Sequence, residues 1–338
     1  MYPHRSLLHR VAISVVGASA LLACAGASEP TAITPSDVPS DFTAIAPRHP
    51  QGVLSGKVTS FTGRPFGIDV TPKGGLVLVT EQDANAVAGF PITKPAQPIT
   101  PIPVTADPGD VIFNTKGTTA YASTFFGGNV HVIDGATGAV TATIPMGSNA
   151  YRLAISKDDT RLYVTSVYGD VRLVKLTTGF PITPINLGAS IQGITLSPDG
   201  TALYVSSTSG SIWRLDPLTL AVQATGFVGG TPQELVISPD GTELYVANEA
   251  GAGIVVNAAT LTATGTFPAY YLFGMALTPD GQQLYAASSS GTLTIIDRAT
   301  RTVVNSLYLG GTPRRIAFDE KGFTAVVANE GNWVDVIK

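Results

Sequence analysis

Acidic, basic and aromatic residues recur at one register of this chain. Seven residues before each of seven evenly spaced turn positions stand Gly67, Asp110, Arg152, Gly193, Glu234, Gly274 and Arg315. One residue earlier stand Phe66, Gly109, Tyr151, Gln192, Gln233, Phe273 and Arg314. Guanidinium groups pair with planar anions, carboxylates move protons or accept from donors, and aromatic faces stack on rings. The candidate ligand-binding set is therefore Asp110, Tyr151, Arg152, Gln192, Glu234, Phe273, Arg314 and Arg315. The same residues have a plainer use as ion pairs across a polar opening, such as Glu234 with Arg315.

Other reactive chemistry is sparse. Glu81, Asp83, Asp110, Glu249 and Glu330 are oxygen ligands of the kind that hold Ca²⁺ or Mg²⁺, but such carboxylates are common in loop-rich chains. Between residues 51 and 338 the single imidazole is His131, which is too little for a zinc or copper site or a Ser-His-Asp triad. Its register places it on a strand away from the axis, half exposed. The single cysteine is Cys24, so no internal disulfide forms. With no phosphate loop, haem-attachment motif or paired-metal motif, the reading assigns neither cofactor nor metal.

The elements that position these residues follow from a repeat. Ser238-Pro239-Asp240-Gly241 leads into Leu244-Tyr245-Val246-Ala247-Asn248, and Ser197-Pro198-Asp199-Gly200 into Leu203-Tyr204-Val205. Thr278-Pro279-Asp280-Gly281 and Ser156-Lys157-Asp158-Asp159 do the same, and weaker copies start at Thr71, Asn114 and Asp319. The turn position falls at 74, 117, 159, 200, 241, 281 and 322. A period of about 41 residues fits four short strands and their turns, the size of one propeller blade. Where the copy is clearest, Pro presets φ and Gly supplies positive φ, so the chain reverses. Apolar runs such as Leu235–Ile237, Leu244–Ala247, Val130–Asp134 and Val303–Leu307 supply the strands. The seventh unit stops after Trp333–Lys338, whereas Val53–Phe61 is a strand-like run ahead of the first unit. The expected architecture is all-β, a seven-bladed β-propeller with four-stranded blades, its ring closed by the N-terminal strand.

The Leu-Tyr-Val-Thr-Ser run (162–166), the Leu-Tyr-Val-Ala-Asn run (244–248) and the Ser-Pro-Asp-Gly turns resemble the YVTN-repeat β-propeller family over residues 53–338. The resemblance implies the fold. It does not imply an activity, because related propellers include lactonases, lyases, haem-binding domains and binding-only lipoproteins, and the shared residues are turns and core.

The N-terminus reads as an export signal. His4, Arg5, His9 and Arg10 precede an apolar run from Val11 to Ala23, too short to span a bilayer comfortably. Leu21-Leu22-Ala23-Cys24 resembles a bacterial lipobox, so Cys24 is the expected lipidation site. The domain reading is a signal peptide over 1–23, a lipidated Cys and flexible tether over 24–50, and a propeller over 51–338. Ala25 is not acidic, which favours the outer membrane, facing the periplasm.

Of 338 residues, 20 are Lys or Arg and 24 are Asp or Glu, for a net charge of −4. That excludes the basic field of a nucleic-acid binder. The leading expectation is a monomeric binding or scaffold propeller, tethered to the envelope by its lipid alone. It would present a polar channel face to a protein or a small anionic ligand. The alternative is a hydrolase or lyase acting on a lactone or sugar-derived anion, which requires Glu234, Arg152 and Arg315 to converge. A third expectation is an envelope assembly anchored through Tyr270 and Tyr271, or Phe125 and Phe126.

Overall fold

The computed structural model describes residues 50–338 apart from 74, 148 and 181. The signal segment, Cys24 and all of the tether but Pro50 lie outside the described residues, as does the turn residue Gly74. Seven four-stranded antiparallel sheets follow one another along the chain. Their innermost strands are Pro65–Val70, Pro108–Phe113, Leu153–Ile155, Ile191–Leu196, Pro232–Ile237, Leu272–Leu277 and Pro313–Phe318, for blades one to seven.

The repeat unit is hydrophobic on both sides because every blade is packed between two others. On the second strand of blade five, Leu244 and Val246 join a cluster with blade four, while Tyr245 and Ala247 join one with blade six. Side chains alternate across a strand, so a strand covered on both faces reads as an unbroken apolar run. Seven clusters serve the seven seams between blades, and no single core unites them.

Closure follows the expected route. Leu54–Val58 pairs antiparallel with Trp333–Ile337 as the outermost strand of blade seven, with Val58 opposite Val334 and Lys57 opposite Asp335. The strand is shorter than the Val53–Phe61 run. Beyond Val58 the chain leaves its partner for blade one, and Phe61 packs edge-on to Phe90 there. Lys57 fixes the seam: its ammonium sits 3.9 Å above the Trp333 ring and donates to the Leu309 carbonyl at 2.6 Å.

The Pro-Asp-Gly turns are tied internally. Asp240 Oδ1 accepts from Ser238 Oγ at 2.5 Å and from Thr242 Oγ1 at 2.8 Å. Gly241, at φ 73°, donates to the Ser238 carbonyl. Asp199 and Asp158 are held in the same way. Hydroxyl donors from Ser and Thr hold all three carboxyls well below the usual range, at about 2. A depressed carboxyl stabilises the fold above its unfolded value of about 4 and loses that contribution as pH falls towards about 2. The Asp158→Asn, Asp199→Asn, Asp240→Asn triple variant is therefore expected to be less stable at pH 7. Its stability should also fall less steeply than the wild type's between pH 4 and 2. Parallel slopes in denaturant titrations would contradict this origin.

Candidate functional site

The inner strand of each blade is an edge strand, so its N–H groups on the channel side need partners from elsewhere. Carboxylates from the preceding blade supply three of them. Asp69 Oδ2 accepts from Phe113 N–H at 2.7 Å, Asp110 Oδ2 from Leu153 N–H at 3.1 Å and Glu234 Oε2 from Met275 N–H at 3.0 Å. Arg315 of blade seven then reaches across the axis. It pairs with Glu234 of blade five and lies 3.5 Å from Asp110 of blade two. Blades two, five and seven are not all neighbours, so these groups meet only at the centre of the ring. Burial by itself lowers the Arg315 pKa, but the charges of Asp110 and Glu234 outweigh it and hold the guanidinium above its ordinary value.

Two successive residues of the inner strands can face the axis because the strands are bulged there. Six of the seven shift register at this level, between Pro65 and Ile68, Pro108 and Asp110, Ile191 and Gly193, Pro232 and Leu235, Leu272 and Gly274, and Pro313 and Ile316. A bulge breaks the in–out alternation and re-aims a side chain. The glycines of the deeper register let blades approach: a Cβ on Gly274 would overlap the Arg314 carbonyl oxygen.

The upper register closes the axis with rings. Phe66 of blade one lies 6.2 Å from Tyr151 of blade three and 5.9 Å from Phe273 of blade six. Phe125 braces Tyr151 edge-on at 5.9 Å. Burial pushes the Tyr151 hydroxyl pKa up, against the opposing pull of Arg152, Arg314 and Arg315. From the Pro-Asp-Gly side, a cavity of about 470 Å³ runs between the inner strands of blades three to six and reaches Glu234 and Arg315.

Arg152 is the exceptional group. It is 1% exposed, and among the described residues its Nε, Nη1 and Nη2 atoms have no hydrogen-bond partner. The guanidinium carbon lies 4.7, 5.3 and 5.7 Å from the ring centres of Tyr151, Phe66 and Phe273. A desolvated cation–π contact contributes about 2 kcal/mol. Five unmet N–H donors at roughly 1–3 kcal/mol each, with several kcal/mol for burying the ion, exceed the sum of three such contacts. Arg314, by contrast, is paired: its Nη2 donates to Glu330 at 3.0 Å, its Nε forms an ion pair with the same carboxylate at 3.0 Å, and the group stacks 3.8 Å above Phe273.

The structure thus brings together Asp110, Glu234 and Arg315 in one group, and Tyr151, Arg152, Phe273 and Arg314 in a second beside it. Gln192 is outside both and donates to Ser190 Oγ at 3.1 Å. The loop carboxylates disperse. Glu81 accepts from the Thr62 and Gly63 N–H groups, Asp83 pairs with Arg64, and Glu249 accepts from Gln233. His131 is buried rather than half exposed. Thr105 N–H donates to its Nε2, which places the ring proton on Nδ1 towards Thr143 Oγ1, and burial lowers its pKa. The residue missed from sequence is Asp69, whose carboxyl desolvation raises to about 6 despite its two N–H donors. Its signal was position alone, on the same inner strand two residues beyond Gly67. No protein-family model matches the chain, and neither does any curated protein.

Two outcomes follow from these contacts. Arg315→Met, which strands two buried carboxylates, is expected to cost about 3 kcal/mol in urea unfolding at pH 7. A loss below about 1 kcal/mol would mean that the axial ion pair is dispensable. A raised carboxyl destabilises the fold as pH climbs through its folded value. The stability of Asp69→Asn relative to wild type should therefore rise between pH 5 and 7, and a pH-independent difference would refute the assignment.

Proposed function

We propose that this protein is a non-catalytic binding propeller of the YVTN-repeat kind, held at the cell envelope through Cys24, whose loop face receives a protein partner. One observation carries the reading. The channel's ionic groups, Arg152 apart, are engaged in holding blades together, whereas large aromatic side chains stand exposed around the same face. Phe227, Tyr270 and Tyr308 end the outer strands of blades four, five and six, and Phe227 and Tyr308 are 74% and 78% exposed. Tyr271 follows at the next crossing, and Phe126 and Tyr168 stand on the adjoining loops of blades two and three. The outer strands end where the second strands end, which puts these rings on the face that carries the axial ring cluster. Exposed aromatic side chains provide rigid contact area at low entropic cost and are enriched at interface hot spots.

The hydrolase or lyase alternative lacks a comparable observation. It needs Glu234, Arg152 and Arg315 free to meet one reacting atom. Glu234 and Arg315 bind each other, and Arg152 stands among rings.

The reading is tested with two variants of the full chain. Cys24→Ser should move the protein from the membrane fraction to the soluble periplasmic fraction. Combined Phe227→Ala, Tyr270→Ala and Tyr308→Ala should abolish crosslinking to envelope proteins while leaving Tm within about 2 °C, because exposed truncations remove little packing. An unchanged crosslinking pattern would overturn the proposal.

A further inference from the structure

We propose that Arg152 anchors a second, small-molecule site at the axis, which takes a monocarboxylate with a flat apolar body. The site shares the loop face of the reading above but does not depend on the partner bound at the rim.

Long-range charge is not what Arg152 lacks. The group of Asp69, Asp110, Glu234 and Arg315 holds three carboxyls against one guanidinium, so acidic groups already lie on the axis. What is missing is acceptors. All three guanidinium nitrogens are buried without a partner, while every neighbouring axial charge is hydrogen-bonded. A planar carboxylate offers two acceptor oxygens in the geometry of the guanidinium fork. A tetrahedral anion lacks the flat body that the surrounding rings would meet.

The walls specify the rest of the ligand. Phe66, Tyr151 and Phe273 surround the guanidinium, and each is nearly buried. Entry requires these rings to turn aside, a rotamer change of the kind common at binding sites. A flat apolar ligand body then takes over the ring contacts that the cluster gives up, as edge or stacked pairs.

The test is calorimetric melting of the full chain at pH 7.5 with sodium benzoate, against benzamide and against sodium sulfate at matched ionic strength. Benzoate is expected to raise Tm with the logarithm of its concentration above Kd, by about 3 °C or more at ten times its Kd. Benzamide and sulfate should give less than a third of that shift. Arg152→Met should abolish the shift yet melt, without ligand, at or above the wild-type temperature. Arg152→Lys, which keeps the charge but not the fork, should weaken benzoate at least tenfold. The proposal fails if benzoate has no effect, if benzamide matches it, or if Arg152→Met responds equally. It also fails if Arg152→Met unfolds or melts lower unliganded, since the guanidinium would then serve the fold. If benzoate fails while the rim variant still loses its crosslinks, only this inference falls. The opposite pair of results removes the rim reading and leaves this one.

Discussion

Every blade presents one bare strand edge to the axis, and the chain must satisfy those edges without a neighbouring strand. It does so with side chains. Asp69, Asp110 and Glu234 each cross to the N–H of the next blade's inner strand. Buried N–H groups are costly when unmet, so these bonds fix the spacing between blades at the ring's narrowest point. Arg315 then ties two of the three carboxylates together from the opposite side. The seven apolar seams hold blades pairwise, but the axial network joins blades that share no seam. Asp69, Asp110, Glu234 and Arg315 are thus first of all structural, each engaged in joining one blade to another.

Much of this architecture is legible in the sequence, for a physical reason. A reversal that favours Pro and then positive φ leaves a plain mark, and four Pro-bearing copies with three that lack Pro at nearly constant spacing leave one solution. The closing role of Leu54–Val58 is legible as well, because the seventh unit lacks an outer strand and a spare run stands ahead of the first. The register placed Asp110, Arg152, Glu234 and Arg315 on the axis as a list of positions.

What the register does not reveal is which of those positions touch. Contacts at the axis run between blades two, five and seven, or one, three and six, and no local pattern encodes a meeting across a ring. Nor does the sequence show the bulge that lets Arg314 and Arg315 turn the same way. Alternation would send them to opposite faces. The polar opening expected on the loop face is closed by Phe66, Tyr151 and Phe273, whose hydrophobic packing outweighs the polarity of the residues around them. Phe227 and Tyr308 escaped attention because they sit at the ends of outer strands, where an aromatic residue reads as ordinary strand composition.

The closing strand also imposes an order in time. Leu54–Val58 is the first part of the propeller to leave the ribosome, and its partner Trp333–Ile337 is the last. Until the final residues are made, blade seven has no complete sheet, Lys57 has neither Trp333 nor Asp335, and the first blade has no neighbour on one side. The intermediate blades can assemble meanwhile, since each packs only on those beside it. An unfinished chain is therefore an open arc with two sticky ends, and only the full-length product can hide both. Closure is thus all or nothing: without Trp333–Ile337 the strand Leu54–Val58 has no partner and the ring stays an open arc.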